Sequence, residues 1–229
     1  MKKIGIIAAM QEEMNAIKQI MDDVKEIKIY DLTFFEGKIN QKSCVLVESG
    51  VGKVNSSRTT QILIDKFEID YVINVGSAAT ANDELEIGDI VIGKNLVQHD
   101  FDITAFGHKK GYISNVGEKI KSNEILIEKF EIEINKIEDR DYKIKVGTIA
   151  SGDIFCTDVG MKKKINFKFN ADAIEMEGAA IAQVCYLDNI PFIILRSISD
   201  NPNGNNNITF EEYLELASKR CSEILKKVI

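Results

Sequence analysis

The sequence predicts an α/β protein: a mainly parallel sheet with helices on both faces. Three observations carry this reading. Short, nearly continuous apolar runs recur, of the kind found in strands buried on both faces. These runs alternate with longer stretches of helical pattern. Small residues gather where the runs end, so that a backbone can be approached closely there.

KIGIIAA at 3–9 is the first such strand, and a helical stretch from about Gln11 to Asp22 follows it. SCVLVES at 43–49 is a second strand, leading through Gly50-Val51-Gly52 into a helix that contains SSRTTQILIDKF. DYVINVGSAA at 70–79 repeats the pattern, and GDIVIGKNLV at 88–97 supplies a further strand. Residues 117–138 read as an amphipathic helix with exposed Glu and Lys. KVGTIASGD at 145–153 is a strand ending in a turn, and PFIILRSISD at 191–200 is a strongly apolar run ending in polar residues. A final helix opens on Thr209 with Glu212 three residues later, a capping box. Pro191 and Pro202 are the only prolines, and neither a repeat nor a linker is visible, so residues 1–229 are expected to form one domain.

Composition bounds the function. Hydrophobic residues make up 45% and charged residues 28%, ordinary for a globular protein with a full core. The formal net charge is −7, with Lys and Glu scattered, which argues against an electrostatic nucleic-acid binder. No apolar run has membrane-spanning length, and the N-terminus runs straight into a strand, so the chain is expected to be cytosolic and complete. Cys44, Cys156, Cys185 and Cys221 lie far apart without a CxxC pair; Cys44 and Cys185 read as buried thiols. With His99 and His108 the only histidines, no metal-ligand set is recognisable, and neither metal nor cofactor is expected.

Open α/β sheets bind ligands at the carboxyl ends of their strands. Here those ends read Ala9-Met10-Gln11-Glu12-Glu13, Ser49-Gly50-Val51-Gly52, Gly76-Ser77-Ala78-Ala79, Ser151-Gly152-Asp153-Ile154-Phe155 and Arg196-Ser197-Ile198-Ser199-Asp200. The most informative stretch is DAIEMEGAAIAQVC at 172–185, which sets Glu175 and Glu177 beside a helix of small residues. Paired carboxylates with an arginine and a serine suggest acid–base work on a polar, hydroxyl-bearing substrate. Each feature also has a plain structural reading. Glu12 and Glu13 open a helix, where acids favour the macrodipole. Asp200 precedes a turn-rich loop. Only one of Glu175 and Glu177 need face a ligand. Gly50-Val51-Gly52-Lys53 lacks the spacing of a phosphate-cradling loop and reads more simply as a strand–helix turn. His99-Asp100 are neighbours in sequence, which does not make their side chains a pair. No GxSxG elbow is present.

Taken in order, IGIIAAMQEE (4–13), ESGVGKVNS (48–56), INVGSAA (73–79), GDIV (88–91), HDFDITAFG (99–107), ASGDIF (150–155), AIEMEGAAIAQVC and ILRSISD span nearly the whole chain. This ordered set resembles the 5′-methylthioadenosine/S-adenosylhomocysteine nucleosidases of the purine nucleoside phosphorylase and uridine phosphorylase superfamily. The resemblance implies a three-layer α/β/α sandwich around a mixed, partly barrel-like sheet, usually in a homodimer. It also implies hydrolysis of the N-glycosidic bond of a small nucleoside.

The resemblance gives Asp200 the adenine and the delivery of a proton to N7, with Ser199 orienting that carboxyl. It places Phe155 on the adenine ring and the backbone of Cys156 at its edge. Glu177 would bind the ribose hydroxyls, with Met176 beneath the sugar. Glu13, helped by Arg196 and Ser77, would hold and deprotonate the attacking water. Ala78 and Glu175 are also expected at the substrate. Met10, Val51 and Phe210 would form an apolar 5′ pocket, with Ile103 and Phe106 reaching in from a partner subunit. Two positions depart from the family's pattern: its GSAGG turn reads Gly-Ser-Ala-Ala-Thr at 76–80, and His108 stands where a Tyr is expected. The rival readings are a phosphate-dependent phosphorylase, an aminodeoxyfutalosine nucleosidase and a non-catalytic adenosyl-compound sensor. A carboxylate beside the nucleophile argues against phosphate.

Overall fold

The computed structural model describes residues 3–138, 140–200 and 210–229, the side chains of residues 210 and 211 excepted. Among the described residues ten strands form one sheet: β1 (Ile4–Ala8), β2 (Asp22–Ile29), β3 (Leu32–Ile39), β4 (Lys42–Glu48), β5 (Tyr71–Thr80), β6 (Ile90–Gln98), β7 (Ile120–Lys121), β8 (Ile144–Ser151), β9 (Ala173–Glu175) and β10 (Phe192–Asp200). The helices are α1 (Gln11–Lys18), α2 (Lys53–Phe67), α3 (Glu124–Asn135), α4 (Val159–Phe169), α5 (Gly178–Leu187) and α6 (Phe210–Val228).

The sheet is mixed and partly closed. β5 pairs with β10, β10 with β6, β6 with β8, β8 with β9, and β9 returns to β5. From the other edge of β5, the sheet continues outward through β1, β4, β3 and β2. The expectation of a mainly parallel sheet needs correcting. β4, β1, β5 and β10 lie side by side and parallel to one another, but β6 runs against β10, β9 against β5, and β2–β3–β4 form an antiparallel meander.

Alternation along the strands fills both faces. In β1, Ile4, Ile6 and Ala8 join one apolar cluster with Met14 and Ile17 of α1, Phe130 of α3 and Ile224 and Leu225 of α6. Ile7 points the other way, into a cluster with Leu63 and Phe67 of α2 and Ile181 and Cys185 of α5. A smaller cluster seats Ile165 and Phe169 of α4 against Val97, Ala150 and Ile174. Each fully buried Ile or Leu contributes roughly 1.5–3 kcal/mol of apolar transfer free energy. The helices therefore cover both faces of the sheet, which is the sandwich around a partly barrel-like core that the resemblance implies.

Several boundaries differ from the sequence reading. The first helix stops at Lys18, and Asp22 already belongs to the hairpin β2–β3. Within 117–138 the helix occupies only Glu124–Asn135, preceded by the short strand β7; the side chain of Asn123 accepts Leu126 N at 3.1 Å and fixes that start. Thr209 of the expected capping box lies outside the described residues. Among the described residues no helix is long and apolar enough to cross a membrane.

Candidate active site

The ends of β1, β4, β5, β8, β9 and β10 meet around one cavity of about 510 Å³. β8 and β9 reach it although they run opposite to β10 and β5 respectively, because closure of the sheet brings their ends back. Its lining includes Glu13, Ser77, Glu177, Arg196, Ser199 and Asp200. Met10, Val51, Ala78, Phe155, Cys156, Glu175 and Met176 border the same space.

Glu13 is the third residue of α1, 3% exposed, and turned inward, whereas Glu12 faces solvent. Its Oε2 accepts the N–H groups of Ala9 (3.0 Å) and Met10 (3.2 Å), and its Oε1 accepts Ser77 N–H at 3.0 Å and the Ser77 hydroxyl at 3.4 Å. The bond from Met10 is half of a capping box, so one side chain both starts the helix and faces the cavity. Gly76 makes room for it: a Cβ there would stand 2.9 Å from Glu13 Oε1 and 3.4 Å from an Arg196 nitrogen. Burial pushes the Glu13 pKa up, against the pull of the Arg196 charge and the Ser77, Ala9 and Met10 donors.

Arg196 is 1% exposed and held by Asn74 Oδ1 at 2.6 Å, by the Leu195 carbonyl at 3.1 Å and by Glu175 through Nε and a terminal nitrogen. Burial opposes its charge, but Glu175, Glu177 and Glu13 outweigh that and raise its pKa above the ordinary value. Glu175 is committed to protein donors. Besides Arg196 it accepts the Ser151 hydroxyl and the N–H groups of Glu177 (3.1 Å) and Gly178 (2.6 Å), so it anchors the start of α5 while lining the cavity. Of the two neighbouring glutamates, Glu177 is the one with an uncommitted side. Its Oε1 accepts Gly52 N–H at 2.9 Å, and its Oε2 stands 3.9 Å from Arg196. Burial, then the Glu175 charge, push its pKa up to about 7 despite Arg196.

Asp200 closes β10 at the cavity wall. Thr80 N–H donates to its Oδ1 at 3.0 Å, and the Lys162 ammonium lies 2.6 Å from its Oδ2. Burial raises its pKa, and Lys162 and Thr80 only partly offset this. The hydroxyl of Ser199 donates to the Ala78 carbonyl at 3.2 Å, so the Asp200 carboxyl is held by Thr80 and Lys162 instead.

The Gly50-Val51-Gly52-Lys53 turn is a strand–helix junction. Gly52 adopts φ +99°, open to glycine. The amides that begin α2 are already taken by carboxylates: Gly52 N–H by Glu177 and Lys53 N–H by Asp153 at 2.8 Å. The Lys53 ammonium is bound to Asp100 at 2.7 Å and Gln98 at 3.2 Å. The Asp100 oxygens are therefore bonded to Lys53 and to the Asp153 N–H, and buried His99, whose pKa burial lowers against the pull of the nearby Asp100 charge, makes no hydrogen bond to it.

Ile103 is half-buried and Phe106 is 82% exposed; neither lines the cavity of this chain. The side chain of Phe210 lies outside the described residues. His108 is exposed and stacks on Tyr112 with ring centroids 4.3 Å apart. All four cysteines are free and buried. Among the described residues no group of three or more His, Cys, Asp and Glu side chains could hold a metal ion.

Sequence reasoning missed Lys162, Thr80 and Asn74. Lys162 had a signal: it shares the inner face of α4 with Ile165 and Phe169, three and seven residues on, where a lysine calls for a buried partner.

Residues 3–229 match the phosphorylase superfamily. The chain is 42% identical over 227 residues to the 5′-methylthioadenosine/S-adenosylhomocysteine nucleosidase of Staphylococcus haemolyticus, covering 99% of this chain and 98% of that one. Its fold superposes with a TM-score of 0.94 on the nucleosidase of the same name from Colwellia psychrerythraea, solved with adenine, at 36% identity and covering 99% and 94% of the two chains. It is also similar to the futalosine hydrolase of Helicobacter pylori, with a TM-score of 0.91 at 35% identity, covering 99% and 97%. The chain belongs to the phosphorylase superfamily and, within it, to the family of the 5′-methylthioadenosine/S-adenosylhomocysteine nucleosidases.

Proposed function

We propose that this protein hydrolyses the N-glycosidic bond of 5′-methylthioadenosine and S-adenosylhomocysteine, releasing adenine and a thioribose product. The observation that carries the reading is the division of labour around one cavity. Glu13 is fed by backbone donors at the β1 end, and Asp200 is held separately at the β10 end.

In this reading Asp200 gives a proton to N7 of the purine, so that the base departs neutral with the electron pair of the breaking C1′–N9 bond. Burial raises its pKa and so helps it to carry that proton. Glu13 holds a water below C1′ and takes its proton as the new C–O bond forms. A carboxylate of raised pKa is the better base. Glu177 binds the ribose hydroxyls, and Arg196 steadies the buried glutamates around the reacting carbon, where positive charge develops. Met176, Phe155 and the Cys156 backbone flank sugar and base.

Phosphate is disfavoured as the nucleophile. Three glutamates with one arginine surround the attacking side, and the amides of the Gly52–Lys53 turn already serve Glu177 and Asp153. The reading includes a homodimer, supported by the exposed Phe106, which would complete a partner's 5′ pocket. It also includes one domain, supported by the superfamily match over 3–229, and a cytoplasmic site of action, supported by four buried free thiols. The test is adenine release from methylthioadenosine with and without phosphate. Free methylthioribose formed without phosphate is expected; strict phosphate dependence with a sugar 1-phosphate product would overturn the reading of Glu13. Saturable binding without turnover would make the protein a sensor.

A further inference from the structure

α4 carries a lysine on its inner face. Its start is fixed by Asp158, whose side chain accepts Met161 N–H at 2.7 Å, and its buried positions are Lys162, Ile165 and Phe169. A lysine carried inward by a helix destabilises the fold unless its charge is met. Here it is met by Asp200. The ammonium lies 2.6 Å from Oδ2, with the lysine side chain 3% and the aspartate side chain 20% exposed. Lys162 does not line the cavity; it reaches the carboxylate from the helix side, while Thr80 N–H holds the other oxygen at 3.0 Å.

We propose that Lys162 is a positioning residue for the general acid: it fixes the Asp200 carboxyl at the cavity wall and faces the negative charge left there once the proton has gone to the base. The inference rests on the nucleosidase reading above. In the step concerned the C1′–N9 bond breaks with its electron pair passing to the purine, and the Asp200 proton moves to N7. Asp200 becomes a carboxylate beside a fixed ammonium. Water supplies hydroxide to C1′ and its proton to Glu13, and solvent exchange returns one proton from Glu13 to the medium and one from the medium to Asp200. Because Lys162 need not move to meet the new charge, it stabilises the transition state without reorganisation.

The ammonium also holds the Asp200 pKa down against the larger upward push of burial. Among the described residues, the groups facing that carboxyl are Lys162 from α4, the Thr80 N–H from β5 and the Cys156 thiol from the segment after β8. Burial pushes the pKa of that thiol up, Lys162 pulls it down in part, and Asp200 and then Asp158 at the head of α4 add to the rise, so Cys156 carries no competing charge. Lys162 therefore supplies the charge opposing the desolvation of Asp200.

The experiment follows the carboxyl carbon of Asp200 by NMR in protein labelled at aspartate carboxyls, assigned by its loss in Asp200→Asn, alongside adenine release. Lys162→Met keeps the length of the chain and removes its charge. It should raise the Asp200 midpoint by about one to three units. It should also lower kcat about tenfold or more, a share of the ~10²–10⁴-fold that a general acid supplies. Lys162→Arg should bring midpoint and rate back toward wild type, which a purely structural role would not require. If Lys162→Met does not fold, Lys162→Gln reads the same midpoint. An unmoved midpoint, or wild-type turnover without the charge, would overturn the inference while leaving the nucleosidase reading in place. A moved midpoint in a protein that releases no adenine even as wild type would instead overturn that reading and leave the ion pair standing.

Discussion

Gly52 and Glu177, 125 residues apart in sequence, meet where the Gly52 N–H donates to Glu177 Oε1 at 2.9 Å. The contact ties the turn before α2 to the start of α5. It also points the other oxygen of Glu177 toward Arg196, 3.9 Å away. The strand–helix turn thus holds the carboxylate assigned to the sugar.

The buried state of Glu177 makes stability depend on pH. Its native pKa is raised to about 7, first by burial and then by Glu175, whereas in the unfolded chain it ionises near 4.5. Between those values the unfolded state has lost the proton and the native state still holds it. Native stability therefore falls as pH rises through that window, by about 3 kcal/mol in all. Urea unfolding at pH 5 and pH 8 should show this loss, and Glu177→Gln should remove its share and leave what Glu13 and Asp200, also raised by burial, contribute. Parallel pH trends in the two proteins would refute the assignment.

Asp200→Asn should keep the Thr80 contact but has no proton to give. Adenine release is expected to fall ~10²–10⁴-fold, with binding of a non-hydrolysable adenosine analogue still measurable by calorimetry. Release at the wild-type rate would show that another group protonates the base.

Gly76→Ala tests the seating of Glu13. The added methyl would stand 2.9 Å from Glu13 Oε1 and must push that carboxylate aside. Displacement by about 1 Å costs on the order of 100-fold in rate, so kcat should drop by about that factor while the protein keeps its far-UV circular dichroism. Unchanged kcat would mean that the position of Glu13 does not govern the reaction.

Lys53→Met probes the turn from the other side. Removing one partner of the Lys53–Asp100 pair, 17% and 21% exposed, should destabilise the protein by roughly 1–3 kcal/mol. Turnover should stay independent of phosphate. A variant that lost activity in a phosphate-dependent way would show that the lysine handles an anion after all.

Much of this arrangement was legible in the chain because its strands are buried on both faces and read as unbroken apolar runs, as KIGIIAA and PFIILRSISD do. β2 was not legible. DDVKEIKI lies at the edge of the sheet with most residues exposed, so no apolar pattern marks it, and the helical pattern before it runs on to Asp22, four residues past the end of α1 at Lys18. The acids at the strand ends stood out, but their sorting did not. Only the fold shows that Glu13 turns in while Glu12 turns out, and that Glu175 is spent on Arg196 while Glu177 keeps an open side. Lys162 was hidden within a run of three lysines, since only helix phase separates the buried one from its exposed neighbours.

The path of β10 carries a consequence for how the protein is made. This strand inserts between β5 and β6 and closes the ring, and it delivers Arg196 and Asp200 only near residue 200 of 229. The contacts that seat them reach back 122 residues to Asn74 and 120 to Thr80. A nascent chain leaving the ribosome therefore holds an open, gapped sheet for most of its synthesis, with unpaired edges on β5 and β6. Long-range closure of this kind is slow relative to local helix formation. A chain terminated before β10 would lack both residues and the strand that shuts the ring, so translation has to run nearly to its end before any catalyst exists.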